Sequence, residues 1–130
     1  MGAFDTLNIA SSSLGMHQTW LDALAYNIAN ANTIRSTDQD AFQAQMVIAE
    51  ADPGRGVDVA GIALSDPEGV IEYDPTHPLA DEDGNVRAPA MDMASQMTQL
   101  VMAQRGYQAA VQVTKYAQDS YSSAIQIGGA

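Results

Sequence analysis

The sequence predicts a mainly α protein with a small β-rich middle, an α+β chain whose two long terminal helices pair as a coiled-coil-like hairpin around a β-hairpin and irregular insertion. Two seams and one charge boundary carry this expectation. Leu7, Leu14, Leu21 and Ile28 recur every seven residues near the start, and Met93, Leu100, Tyr107 and Tyr121 share one seven-residue register near the end. Apolar seams of that length are suited to packing against other helices. Residues 38 to 92 hold thirteen acidic and two basic side chains, whereas the first 37 residues sum to -1 and the last 38 to +1. The chain therefore divides into an N-terminal helical assembly arm (1–33), an acidic central region (34–90) and a C-terminal helical assembly arm (91–130), expected to form one structural unit.

The first arm reads as an amphipathic helix from Phe4 to about Asn32, with Leu24 widening the stripe; about 30 residues correspond to about 45 Å of helix. Its seam is imperfect, because Ala10 and His17 occupy core-side places and Gly15 costs about 1 kcal/mol relative to alanine. In residues 33 to 56, Phe42, Met46, Val47 and Ile48 form a short apolar island that suits strand or short helix, and Asp52-Pro53-Gly54 supplies a turn. Val57 to Leu64 alternates as a strand does. Asp66-Pro67-Glu68-Gly69 has the composition of a tight turn leading into Val70-Ile71-Glu72-Tyr73, so these two strands are expected to form the β-hairpin. Prolines at 75, 78 and 89 exclude regular helix from the next segment, leaving Val86-Arg87-Ala88-Pro89 short and extended. The helical period returns from Met91 to about Ile127, with Met97, Leu100, Tyr107, Val111, Tyr121 and Ile125 on its seam and Gln104, Thr114 and Gln118 interrupting it.

Composition limits the function classes. The chain has 130 residues, is 46% hydrophobic but only 6% aromatic, and carries a formal net charge of -11. Much of the apolar fraction is alanine, which buries little area, so a self-sufficient monomer is expected to be marginal. Arg35, Arg55, Arg87, Arg105 and Lys115 are scattered, which excludes the clustered cations that nucleic acids or anionic membranes require. Cysteine is absent, removing disulfides and thiol catalysis. No basic n-region precedes an apolar h-region and no span reaches membrane length, so the expectation is a soluble chain without a cleaved signal peptide.

Nothing in the pattern suggests an enzyme. Asp81, Asp83 and Asn85 alternate like the start of a calcium loop, and Asp92 falls at the twelfth position. The glycine is at the fourth place and Pro89 interrupts the exit, so a solvated acidic turn is the expected state and no metal is assigned. His17 and His77 lack partners at ligand or triad spacing. Met91, Met93, Met97 and Met102 read as adaptable seam filler. Asn27 and Asn30 lie at the end of the first helix, where asparagine competes with the helical backbone; a fraying cap and a buried amide cluster fixing register between subunits are the two readings. The expected subunit-interface residues are Leu7, Leu14, Leu21, Leu24, Asn27, Ile28 and Asn30 on the first arm, with Met97, Leu100, Tyr107, Val111, Tyr121 and Ile125 on the second.

Asn27-Ile28-Ala29-Asn30-Ala31-Asn32-Thr33 resembles the N-terminal signature of bacterial flagellar rod and hook axial proteins. The run from Tyr73 to Asp81, continuing from Gly84 to Pro89, is similar to the smallest, proximal-rod class, as is Arg105-Gly106-Tyr107-Gln108-Ala109-Ala110-Val111-Gln112-Val113. The resemblance covers nearly the whole chain; it departs at Ala110, where members usually carry asparagine, and is loose over residues 34 to 56. It implies a structural subunit that is exported unfolded through the flagellar type III apparatus. In the periplasm it would polymerise through its terminal helices with copies of itself and other axial proteins into the proximal rod, which transmits motor torque. It implies no cofactor, no catalytic residue and no small-molecule substrate. A soluble helical-hairpin adaptor or secretion chaperone is the alternative that the residues leave open.

Overall fold

The chain runs α1 (Ala3–Ala29), β1 (Gln45–Asp52), β2 (Gly56–Leu64), β3 (Val70–Tyr73), β4 (Asn85–Ala88) and α2 (Met93–Gly128) in a computed structural model that describes residues 2–129. The α+β expectation holds: two long helices enclose a small antiparallel β middle in sequence. Helix starts follow from side-chain acceptors. Asp5 Oδ2 takes the Gly2 N–H at 3.0 Å in the first turn of α1. At α2, Asp92 caps by accepting from Ala94 N (3.2 Å) and Ser95 N (3.3 Å), which is why the helix starts at Met93 and not at Met91.

The strand pairing differs from the sequence expectation. β2 and β3 do not form a hairpin; β1 pairs with β2, and β3 pairs with β4. Asp52-Pro53-Gly54 makes the tight reversal, with Gly54 at φ 83° and the Arg55 N–H on Asp52 O at 2.9 Å. Beyond β2 the chain is held elsewhere: Ser65 N donates to Ala44 O (2.9 Å), and Ala41 N to Pro67 O (2.8 Å). The 66–69 turn thus passes the chain to a new partner. β3 and β4 are antiparallel with Val70 opposite Ala88 and Tyr73 opposite Asn85.

Two compact units share these elements. The first gathers α1 through Leu21, Val47–Gly61 and α2 from Val101 onward. Here the helices run antiparallel: the Phe4 and Tyr121 rings lie 6.2 Å apart, while His17 abuts Gly106. Its buried apolar residues are Ala10, Ala103, Ala110 and Ala117. The second holds Asp22–Met46 and Ile62–Leu100. Its core is Ala23, Leu24, Ala41, Phe42, Ala44, Val86 and Ala88, with the Tyr26 ring against Phe42 at 5.2 Å.

Candidate assembly surfaces

In the first unit the seven-residue period is real, but it is carried by other residues than the leucines. The buried line on α2 is Ala103, Ala110 and Ala117, each seven apart, and Ala10 is its buried counterpart on α1. Ala10 and His17, which interrupt the leucine stripe, thus lie on the face where α1 meets α2. Small side chains let two helix backbones approach closely, so the contact is made by the residues that a leucine-seam reading counts as defects. Gly106 shows how close the approach is, since a Cβ there would collide with the His17 ring. That ring is fixed: its Nδ1–H donates to Ser13 O at 2.7 Å, and Trp20 lies 6.2 Å away. The Thr114 hydroxyl is satisfied on its own helix, donating to Ala110 O at 2.8 Å. The same face bears an apolar groove of about 510 Å³ lined by Ile9, Ala10, Gly106, Ala109, Ala110 and Val113, among others.

Several larger side chains of α2 are left outward. Leu7, Leu14 and Leu21 are half-buried, as is Tyr107, while Val111, Tyr121 and Ile125 are exposed. In the second unit Leu24 is buried, Ile28, Asn30 and Leu100 are half-buried, and Met97 is exposed. The alanine contact therefore leaves Val111, Val113, Tyr116 and Ile125 of α2 exposed. A buried CH₂ contributes about 0.8 kcal/mol, so these valine, tyrosine and isoleucine side chains have burial energy still to gain.

Asn27 and Asn30 separate sharply. Asn27 is fully buried, and its amide is used inside the second unit. Its Oδ1 accepts from Gln45 N at 2.7 Å, and its Nδ2 donates to Gln45 O at 2.8 Å and to Gln96 Oε1 at 3.0 Å. One side chain thus ties α1, the start of β1 and α2 together. Asn30 acts locally: its Nδ2 donates to Tyr26 O (2.9 Å) and its Oδ1 accepts from the Thr33 hydroxyl (3.2 Å), closing the end of α1.

The acidic loop is organised by its own first residue. Asp81 Oδ1 accepts from Asp83 N (3.0 Å) and Asn85 N (2.9 Å), and its Oδ2 accepts from the Thr37 hydroxyl (2.9 Å). The backbone hydrogen bond from Asn85, then that from Thr37, holds its carboxyl below the usual carboxylate range. Both carboxylate oxygens already accept hydrogen bonds, and among the described residues no group of three metal-ligating side chains converges. Among them, too, no helix is long and apolar enough to cross a membrane.

Two long helices flank a small β middle in sequence, and residues 82–127 match the model of the flagellar basal body rod FlgEFG protein C-terminal family, a class of rod proteins. A flagellar basal-body rod protein FlgC of Salmonella typhimurium strain LT2 is 30% identical over 133 residues, covering 98% of this chain and 99% of the relative. Another, from Escherichia coli O6:H1, is 31% identical over the same shares, and one from Bacillus subtilis strain 168 is 28% identical with 98% and 99% covered. The chain belongs to the FlgC family of flagellar basal-body rod proteins.

The alanine line and the Gly106 approach lie outside the bulky seams of the sequence pattern. Their signal was present as the unbroken seven-residue spacing of Ala103, Ala110 and Ala117.

Proposed function

We propose that this structural rod subunit polymerises through its terminal helices, in the proximal rod, and so forms part of the shaft that carries motor torque across the periplasm. The single observation behind this reading is the division along α2: Ala103, Ala110 and Ala117 are buried within the chain, whereas Val111, Val113, Tyr116 and Ile125 are exposed. An alanine contact buries little area, so the arms gain most of their stability from neighbours, which couples their ordering to assembly. The neighbours are copies of the chain and other axial proteins, reached after passage through the flagellar type III export apparatus. On this reading the chain catalyses nothing and binds no cofactor.

The decisive variant changes the outward face alone. Val111→Asp combined with Ile125→Asp places charges on exposed positions of α2, where effects on the free chain stay within about 0.5 kcal/mol. The expected outcome is a folded chain with wild-type unfolding behaviour, absent from purified basal bodies, in cells that do not swim. Swimming cells with the variant built into their rods would overturn the helical-face reading.

A further inference from the structure

The outer edge of β3 is open. Arg87 and Arg35 exchange backbone hydrogen bonds, both at 2.9 Å. Asn85 likewise faces Asp81, giving its N–H to Oδ1 at 2.9 Å and receiving the Asp81 N–H on its carbonyl at 3.0 Å. Both residues of β4 thus turn their backbone polar groups away from β3. In an antiparallel ladder the residues opposite do the same, and these are Ile71, opposite Arg87, and Tyr73, opposite Asn85. The Asp74 N–H on Gly84 O at 2.9 Å confirms the phase of the ladder. Ile71 and Tyr73 therefore present N–H and C=O groups to solvent two residues apart, the spacing at which an added strand bonds. Every residue of β3 is exposed, including Tyr73 at 74%.

We propose that this edge is completed by an extended, Lys/Arg-bearing segment of a different protein, which adds to β3 as a third strand. Charge selects the occupant. Asp66, Glu68, Glu72 and Asp74 lie within or next to β3 in sequence, with no Lys or Arg between 56 and 86; the cation opposite Ile71, Arg87, has its guanidinium held on the Glu68 and Thr37 carbonyls. A second copy offers no extended segment with free cations. Its own β3 repeats the same carboxylates. Its Arg35 and Arg87 are spent on backbone carbonyls, Arg105 and Lys115 lie on α2, and Arg55 sits in the hairpin turn. The acids thus block edge-to-edge pairing of like chains while admitting a basic strand.

The proposal rests on the rod reading only in that the partner is met in the assembled basal body. A photo-crosslinking phenylalanine at position 73, in basal bodies purified from swimming cells, tests it. The expected product joins position 73 to an extended segment of another protein that carries Lys or Arg at alternate positions. Ile71→Pro removes one outward N–H without touching the β4 ladder, and should abolish that product. Glu72→Lys keeps every backbone group and should reduce it several-fold. A link to a second copy, to a helix or to an acidic segment overturns the proposal, as does a chain present in basal bodies with no link, or a link that survives Ile71→Pro. A chain absent from basal bodies sinks the rod reading itself, and this proposal with it.

Discussion

Asn27 contributes more than its place at a helix end suggests. A buried amide is tolerated only when its donors and acceptor are matched, and here all three hydrogen bonds are short and internal. Asn27→Ala strands both backbone groups of Gln45 and the Gln96 amide, so urea unfolding should show a loss of about 1–3 kcal/mol. Asp81 acts through charge. Its folded-state carboxyl is held below the ordinary 3.8, first by the Asn85 backbone N–H and then by the Thr37 hydroxyl. The stability this supplies is therefore present above the unfolded value and is lost as pH falls through the lower folded value. Asp81→Asn should be the less stable chain at neutral pH. Unfolding curves recorded from pH 6 downward should show the gap begin to close near pH 3.8 and vanish only below the lower folded value, where protonation leaves both side chains neutral. A gap that stays constant across that range would count against the assignment.

Among elements, the contact of α1 with α2 in the first unit depends on a pair of residues. Gly106 gives up helix propensity, which an alanine would restore by about 1 kcal/mol. It persists because the His17 ring, anchored on Ser13 O, occupies the space a Cβ needs. Gly106→Ala should therefore destabilise the chain when His17 is present and stabilise it in a His17→Ala background. Thermal unfolding of the four chains of that cycle reads the coupling directly, and equal effects in both backgrounds would remove the steric account. The strands illustrate the same competition. Val57 to Leu64 and Val70 to Tyr73 have hairpin spacing, yet the backbone groups around Ser65 and Pro67 are taken by Ala44 and Ala41, so each strand closes with a different partner.

For the molecule as a whole, charge and apolar surface act in opposition. Thirteen carboxylates lie in residues 38 to 92, while both helices carry outward apolar side chains. Free chains should therefore repel at low ionic strength and associate as salt screens the repulsion, with the screening length falling from about 30 Å at 0.01 M to about 3 Å at 1 M. Sedimentation of the purified chain across that range should show growing association. Dissociation with added salt would mean that ion pairs, not apolar faces, hold copies together.

The sequence by itself determined the element order, the confinement of charge to the middle and the family, because periodicity, net charge and the Asn27 to Thr33 motif are properties of the chain read in one dimension. The turn at Asp52 to Gly54 was equally legible, since it is made by neighbours in the chain, whereas the sequence left Asn30 open between a helix cap and a buried amide cluster. Only the tertiary structure decided which of two seven-residue registers faces inward. Leucine and alanine both repeat with the right period, and the choice between them depends on how near two backbones can come, which Gly106 and His17 fix across 89 positions of sequence. It also decided that the Asn27 amide is spent within the chain and that β3 pairs with β4, because both depend on which backbone groups remain unpaired once distant segments have met.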